Sequence, residues 1–433
     1  MNFVNSFNEI MPILKNIRWL SYEKIFISLF KVAVDIWVAK YLGVEAFGIL
    51  TFALTLALVL KSWQYFGLNE VLMKEFVINP KSSKLNFFCA TLISIVLGLV
   101  FLFILTGATY FLVDNNELKI VTIIIALTFI FRPIDIMETW FNSQLKSKYV
   151  VITKGISVGI GFILKALIIL NGYPLIYFAV AYLIEIIIFA IILCIFFKNH
   201  WPFDFMFSFD GKRIKKLITI SFPFFVSVVA ITLNIKIDIL MIKQISGVTE
   251  TGYYSAATML SEVWFFAPVL VVTSFTPMLA KLRKSNLELY NLRFEKLLAY
   301  FMLLSFIIIF FVYFFAEGLI TLTFGPEYLR SADILVIHIF SSVFAIMGLV
   351  QNPWIVNENL GKFSIIKNVS GASINIVLNL ILIPEYGGLG AAVATLISYS
   401  ISNFFINIVY TPKTRNYFSS QLRSLLIYPI LKK

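Results

Sequence analysis

Charged side chains lie inside long apolar segments of this chain, where they could bind an ion or a charged substrate. In the first such segment, Lys24, Ser28, Lys31 and Asp35 follow one another at spacings of four, three and four residues. On an α-helix these spacings place all four side chains on one narrow stripe. An ionisable group at bilayer depth costs roughly 2.5–3.5 kcal/mol on insertion scales, so it is retained where it faces water, a partner or a substrate.

Other apolar segments hold further ionisable side chains, which we interpret as two functional sets. Six cations are predicted to line a lumen between two halves of the protein and to bind an anion, a phosphate in particular: Lys24, Lys31, Lys61, Arg132, Lys165 and Lys236. Five carboxylates are predicted to pair with cations or to bind a coupling ion: Asp35, Asp135, Glu138, Asp238 and Glu262. We expect Asp35 to hold Lys31 or to bind the coupling cation, with Asp238 as its counterpart.

The alternative is that these charges pair with one another and only hold helices together. Lys31 with Asp35, and Arg132 with Asp135, have the spacing of neighbours on a helix. As a complete account this alternative fits poorly, because three lysines have no carboxylate within one turn of their own helix: Lys61, Lys154 and Lys165.

No motif of a catalytic or cofactor site is found. His200 lies in a loop and His338 in an apolar segment, and neither is next to a nucleophile motif. The chain has no glycine-rich phosphate loop and its two cysteines have no metal-ligand spacing. We therefore predict a protein that is not an enzyme and has no cofactor or metal, with H+ or Na+ coupling in place of ATP as the candidate energy source.

The composition is that of a membrane protein built of helices. Of its 433 residues, 60% are hydrophobic and 13% are charged, whereas about a quarter of a soluble chain is charged. Residues 85–113 and 298–316 hold no charged side chain, and about 20 such residues span a bilayer as a helix. The blocks are continuously apolar rather than alternating, which favours helices over a barrel. The net charge of +12 then reflects membrane topology rather than nucleic-acid binding.

Twelve transmembrane helices are predicted. Their approximate bounds are residues 17–42, 47–72, 85–113, 118–143, 149–171, 174–197, 215–243, 252–280, 295–320, 331–357, 362–384 and 388–410. Most loop Lys and Arg residues then fall in every second loop, and the other loops hold clearly only Lys119 and Arg330, with Lys40 and Lys243 at their border. This positive-inside pattern predicts that both termini are cytoplasmic in a bacterial inner membrane.

The chain repeats itself after about six helices. The segment from Asp35 to Lys40 resembles the one from Asp238 to Lys243, and Gly43, Val44 and Gly48 align with Gly247, Val248 and Gly252; residues 154–157 likewise match 367–370. Parallel repeats of this kind are typical of transporters, with the substrate site between the halves. We predict a six-helix bundle over 1–197, a cytoplasmic linker over 198–214, a second six-helix bundle over 215–410 and a cytoplasmic amphipathic tail over 411–433.

Several motifs resemble those of Wzx-type O-antigen flippases, a family of the multidrug/oligosaccharidyl-lipid/polysaccharide exporter (MOP) superfamily. They are Ala39-Lys-Tyr-Leu-Gly43-Val-Glu-Ala-Phe-Gly48, Asp238 with Gly252-Tyr-Tyr-Ser-Ala-Ala257 and Thr276-Pro277-Met-Leu-Ala280, Phe324-Gly-Pro-Glu-Tyr328 with Ser331-Ala332, and Asn379-Leu-Ile-Leu-Ile-Pro384 with Gly387-Gly-Leu-Gly-Ala-Ala392. Together they extend over residues 39–392, nearly the whole chain. Glu262 stands where the peptidoglycan-precursor branch of the superfamily would offer a cation, so the match to that branch is weaker.

The resemblance implies a fold and a function. The implied fold is all-α, with two pseudo-symmetric six-helix bundles in a MATE-like V shape that alternates access. The implied function is translocation of undecaprenyl-diphosphate-linked oligosaccharide repeat units from the cytoplasmic to the periplasmic leaflet, for O-antigen or related lipopolysaccharide or surface polysaccharide biosynthesis. The implied partners are the lipid-linked oligosaccharide, the lipid bilayer and other membrane proteins of polysaccharide assembly, and no nucleic acid.

Other classes of membrane protein share parts of this pattern. An ion-coupled drug or small-solute exporter would have the same architecture. A carrier of the major facilitator type usually has a Gly- and Arg-rich loop between helices 2 and 3, which residues 74–81 lack. A membrane glycan polymerase or ligase usually has a large periplasmic loop, and every predicted outside loop of this chain is short.

The positive-inside pattern leads to a labelling prediction. In a variant without Cys89 and Cys194, a cysteine at Asn115 should react with an impermeant thiol reagent in intact cells. A cysteine at Ser285 should react only after lysis, because its loop is predicted to be cytoplasmic. Labelling of position 285 in intact cells would contradict the twelve-helix topology.

Overall fold

The computed structural model describes residues 18–19, 22, 27–204 and 208–426, and this part of the chain is helical without β-strands. The helices are α1 (Ser28–Gln64), α2 (Leu68–Ile78), α3 (Ser83–Leu112), α4 (Asn116–Ala126), α5 (Asp135–Ser143), α6 (Ser147–Leu170), α7 (Leu175–His200), α8 (Gly211–Ser246), α9 (Val248–Glu262), α10 (Phe266–Ser285), α11 (Leu287–Thr323), α12 (Arg330–Asn357), α13 (Gly361–Tyr386), α14 (Gly388–Ser400), α15 (Ile406–Val409) and α16 (Pro412–Leu425).

Eleven helical segments of the described chain are long and apolar enough to cross a membrane. The first, α1, is two helices joined at Gly43, whose backbone is not helical (φ 75°, ψ 172°). Counting these two separately gives twelve helical segments over the described residues, in rough agreement with the predicted number. Three of the other segments each combine consecutive helices: α4 with α5, α9 with α10, and α14 with α15.

The main departures from the predicted spans are breaks in helices. The second span ends at Gln64 rather than near 72, because Phe66 (φ 50°) and Gly67 (φ 67°) both adopt left-handed backbone conformations. The fourth span is α-helical only as far as Ala126 and again from Asp135. Between them the chain forms two short 3-10 turns, Leu127–Ile130 and Arg132–Ile134, and the second includes Pro133, which has no N–H to continue the α-helix.

The chain separates into two compact units. Unit 1 comprises Met1–Leu42 and Ile49–Thr232, and unit 2 comprises Gly43–Gly48 and Leu233–Lys433, each over those of its residues that the structure describes. The boundaries between them fall inside α1, on both sides of Gly43–Gly48, and inside α8. The predicted linker at residues 198–214 and the predicted bundle limits therefore stay predictions.

The internal repeat is visible in the backbone. Gly43 and Gly247 occupy matching positions and share an unusual conformation, with φ of 75° and 91° and ψ near 180°. Residues with a side chain rarely adopt this region of φ and ψ. Further along each repeat, Ser157 and Ser370 both donate a hydrogen bond to the carbonyl of the lysine three residues before them. The two halves thus repeat local conformation as well as sequence.

Matching glycines of the two repeats also pack directly on each other within unit 2. A Cβ atom on Gly48 would lie 1.9 Å from the carbonyl oxygen of Val248, and one on Gly252 would lie 2.1 Å from the carbonyl oxygen of Val44. Both positions therefore require glycine, because the two backbones touch. Small residues at helix crossings permit such an approach in membrane proteins.

An aromatic cluster supports α5 inside unit 1. The ring centroids of Phe87 and Phe197 lie 4.9 Å apart, those of Phe197 and Trp201 4.8 Å apart, and those of Trp140 and Trp201 5.3 Å apart. All four side chains are buried. Because Trp140 belongs to α5, the cluster fixes the helix that presents two of the predicted carboxylates, Asp135 and Glu138.

The predicted C-terminal tail forms α16, which packs on the rest of unit 2, and residues 427–433 lie outside the described part. A capping box at Thr411 starts the helix. Its first turn is held by Lys413, whose Nζ lies 3.2 Å from an Oε of Glu358, a carboxylate that also accepts hydrogen bonds from Arg283. The bonds from Arg283, opposed by partial burial, lower the pKa of Glu358.

Candidate functional site

A charged cavity lies within unit 1. Its volume is about 880 Å³ and six of the predicted site residues line it: Lys31, Asp35, Lys61, Arg132, Asp135 and Glu138. Lys154 and Glu185 line it as well. The cavity is open rather than sealed, and its wall combines these charges with apolar side chains of α1, α2, α4, α6 and α7.

The break between α4 and α5 positions two of these residues. Arg132 is in the 3-10 turn and Asp135 begins α5, so the chain turns between them instead of continuing as a regular helix. The carbonyl of Phe129, freed from α-helical bonding, accepts a hydrogen bond from the buried amide Nε2 of Gln64 at 3.1 Å, and this Nε2 also reaches the carbonyl of Ser94. The break is therefore tied to the end of α1 and to α3.

Two ion pairs connect α5 with neighbouring helices. Lys61 Nζ, on α1, lies 3.4 Å from Asp135 Oδ2, and Lys154 Nζ, on α6, lies 2.7 Å from Glu138 Oε1. The side chain of Asp135 is only 8% exposed, so Lys61 neutralises a carboxylate that has little contact with water.

A second group of charges joins α1, α6 and α7. Lys31 Nζ lies 2.9 Å from Glu185 Oε1. The buried Lys165 Nζ lies 3.6 Å from Asp35 and 3.9 Å from Glu185, and 3.7 Å from the ring centroid of Tyr182. The Tyr182 hydroxyl in turn donates to Asp35 Oδ1 at 2.5 Å. Each carboxylate of this group therefore faces at least one cation.

These contacts correct the pairing expected from sequence. The lysines with no carboxylate within one turn of their own helix, namely Lys61, Lys154 and Lys165, all have a carboxylate on another helix. Lys31 pairs with Glu185 instead of with Asp35, and Asp135 pairs with Lys61 instead of with Arg132. The expected pairs assumed side chains on one continuous helix, whereas the helix is broken at Arg132 and the nearest opposite charges lie across helix contacts.

Unit 2 holds a different arrangement around Asp238. This carboxylate is 2% exposed and accepts hydrogen bonds from Tyr254 (2.7 Å), Asn379 (2.6 Å) and Thr395 (2.6 Å). Asn379 Nδ2 also lies 3.0 Å from Asn375 Oδ1, while Asn379 Oδ1 is buried without a hydrogen-bond partner. Within the described residues, Asp238 has no Lys, Arg or His within ion-pair distance, so its negative charge is not balanced by a side chain.

The remaining predicted residues lie elsewhere. Lys236 and Glu262, both in unit 2, pair at 3.5 Å. His338 is buried and its Nδ1 lies 2.6 Å from the Ser261 hydroxyl. Lys24 lies outside the described residues. Over the part of the chain that is described, no three His, Cys, Asp or Glu side chains lie close enough together to hold a metal ion.

The charge cluster of unit 1 and the cluster around Asp238 are completed by residues that were not among the predicted cations and carboxylates. Glu185 and Tyr182 are the missing partners in unit 1, and Glu185 was recognisable as a lone carboxylate in an apolar segment. Tyr254, Asn379 and Thr395 surround Asp238, but neutral polar residues in apolar helices are common, so their type alone does not mark a site.

The Lys61–Asp135 pair predicts a rescue between two substitutions. Lys61→Gln leaves a buried carboxylate uncompensated, which should lower the free energy of unfolding by about 1–3 kcal/mol. Adding Asp135→Asn should restore most of that loss, because the amide is neutral. The measurement is the thermal unfolding midpoint of the purified protein in detergent, with the exposed Lys215→Gln as control. Equal destabilisation in the single and double variants would show that the pair makes no energetic contribution.

Solved structures of membrane transporters have a similar fold. An inward-facing multidrug resistance MATE family transporter of the MOP superfamily superposes with a TM-score of 0.71 at 14% identity, covering 92% of this chain and 95% of that one. The lipid II flippase MurJ in an inward closed conformation has a TM-score of 0.71 at 16% identity, covering 95% and 92%. At these identities the likeness shows the fold alone, and it confirms the all-α, MATE-like fold class.

Sequence comparison identifies the family. The capsular polysaccharide biosynthesis protein CapF of Staphylococcus aureus is 23% identical over 361 residues, covering 80% of this chain and 87% of CapF. The profile of the family described as "Polysaccharide biosynthesis protein" matches residues 13–283, more than half of the chain. The chain is therefore a multi-pass membrane protein of the polysaccharide biosynthesis protein family, with the fold of MOP-superfamily transporters.

Proposed function

We propose that the protein is a flippase that moves undecaprenyl-diphosphate-linked oligosaccharide repeat units from the cytoplasmic to the outer leaflet of the bacterial cytoplasmic membrane. The observation that supports this most directly is the cavity of unit 1, an open and charged space walled by helices that are otherwise apolar. A lipid-linked saccharide needs such a polar passage for its headgroup, while its polyprenyl chain stays in the bilayer. The family and the relationship to CapF support a polysaccharide precursor as the cargo.

The product of the pathway is a surface polysaccharide, either a capsule, as the name of the relative indicates, or O-antigen. An ion-coupled drug exporter is the second candidate, because a multidrug transporter shares the fold. The match to the polysaccharide family over residues 13–283 favours the flippase. Both termini are proposed to be cytoplasmic, where the protein would meet the enzymes that complete the repeat unit.

Removal of the gene tests the flippase proposal. The deletion strain should lose long surface polysaccharide and accumulate lipid-linked repeat units that remain inaccessible to sugar-modifying enzymes added outside the cells. The wild-type gene on a plasmid should restore both properties. Normal surface polysaccharide in a strain without a second flippase, accompanied by increased drug sensitivity, would contradict the flippase and favour the exporter.

Asp238 is proposed to bind the coupling cation, Na+ or H+. Its buried carboxylate lacks a balancing side-chain cation within the described residues, and the hydroxyl oxygens of Tyr254 and Thr395 lie within hydrogen-bond distance of it. A buried charge without compensation is costly, so a cation from solution would stabilise this arrangement. Oxygen ligands suit a small hard cation, and a proton would serve the same electrostatic purpose.

Stability measurements in different salts test this site. NaCl in place of choline chloride should raise the thermal unfolding midpoint of the wild-type protein, and Asp238→Asn should abolish the increase. Glu288→Gln, which changes an exposed carboxylate on α11, should keep the increase. If Na+ has no effect, the remaining candidate is H+. Transport by the wild-type protein should then depend on the pH gradient, and transport by Asp238→Asn should not. Absence of both effects would rule out coupling at Asp238.

A further inference from the structure

The charges around the cavity of unit 1 do not cancel completely. Among the described residues, the cations of the cavity wall are Lys31, Lys61, Arg132 and Lys154, and Lys165 lies just behind the wall against Asp35 and Glu185. The carboxylates are Asp35, Asp135, Glu138 and Glu185. With all of these groups ionised, they carry one more positive than negative charge. The cavity is therefore suited to an anionic group, but with a much smaller excess of positive charge than a count of lysines and arginines alone suggests.

The excess charge can be assigned to one residue from the geometry. Each of the four lysines lies within 4 Å of a carboxylate oxygen. Arg132 makes no ion pair among the described residues, and its Nε is buried without a hydrogen-bond partner. Glu138 and Glu185 are near enough to attract it electrostatically. Glu138 is already paired with Lys154, and Glu185 with Lys31 and Lys165.

A buried donor without an acceptor is unfavourable, so the guanidinium of Arg132 would gain from an acceptor entering the cavity. The planar guanidinium has donors in a fork that matches two oxygens of a phosphate, whereas a lysine ammonium is a point charge. The neighbouring Pro133 and the 3-10 turn fix the backbone from which this side chain extends.

We propose that Arg132 is the residue that binds the phosphate of a lipid-linked substrate in this cavity, an inference that rests on the proposed function. The lysines have a different role: paired with carboxylates, they keep the remainder of the wall neutral and hold α1, α5, α6 and α7 together. Arg132 thus determines where the phosphate binds. Lys31 and Lys61, two of the six cations predicted from sequence to bind the anion, act as structural partners of Glu185 and Asp135.

Binding of lipid phosphates to the purified full-length protein tests this assignment. Undecaprenyl diphosphate and undecaprenyl phosphate are titrated into the protein in detergent, and the bound fraction is measured by native mass spectrometry. Arg132→Gln should weaken binding of undecaprenyl diphosphate by about tenfold or more, the loss expected for a charge-assisted hydrogen bond. Arg132→Lys should lose less, because the charge remains but the fork is absent.

A matched control separates this effect from a general loss of charge. Arg293→Gln makes the same change at an exposed position on α11 and should leave binding unchanged. Thermal unfolding midpoints identify a misfolded variant, and if Arg132→Gln misfolds, the comparison rests on Arg132→Lys against Arg293→Lys.

The outcomes distinguish this inference from the proposed function. Equal affinity of the wild-type protein and the folded Arg132 variant would overturn the assignment, even if gene deletion confirms the flippase. Inorganic diphosphate that competes fully at the concentration of the lipid would overturn the preference for a lipid-borne phosphate. Loss of lipid binding in Arg132→Gln, together with normal polysaccharide in the deletion strain, would support the binding site and refute the proposed cargo pathway.

Discussion

Unit 1 depends on one constraint: an ionised side chain among apolar helices needs an opposite charge within a few ångströms. Lipid tails are as apolar as leucine, so apolar surface alone gives spanning helices little preference for one neighbour over another. Ion pairs supply that preference. Lys61 connects α1 to α5, Lys154 connects α6 to α5, and Lys31 connects α1 to α7. Removing one partner leaves a charge that the surroundings cannot solvate, so these contacts act together in selecting the helix arrangement.

The two halves of the repeat use their matching aspartates differently. Asp35 and Asp238 each accept a hydrogen bond from a tyrosine hydroxyl, Tyr182 in one half and Tyr254 in the other. Asp35 additionally faces the ammonium of Lys165, whereas the other hydrogen-bond partners of Asp238 are a neutral amide and a hydroxyl. The first aspartate is thus balanced by the protein itself and, within the described residues, the second is not. In the proposed mechanism the two units have different roles: unit 1 binds the anionic cargo and unit 2 binds the coupling cation.

The spanning helices could be predicted from sequence because their length and apolarity are properties of a single segment. The partners of the charged residues could not, because each pair joins segments that are far apart in the chain: Lys31 with Glu185, for example, or Lys61 with Asp135. The sequence gives only partial evidence of the helix break at Arg132. A proline such as Pro133 can also occur where a helix merely bends. The family resemblance was predictable from local motifs, whereas the location of an unpaired cation required the full set of contacts.

The contact between Gly48 and Gly252 has an evolutionary consequence. Each glycine is constrained by a carbonyl group from the other repeat: Val248 limits Gly48, and Val44 limits Gly252. The two copies of the repeat differ over most of their length, as the different surroundings of their aspartates show. A larger residue in place of Gly48 or Gly252 would have to displace the backbone of the other repeat. Selection on one half of the gene is therefore exerted at this point by the other half.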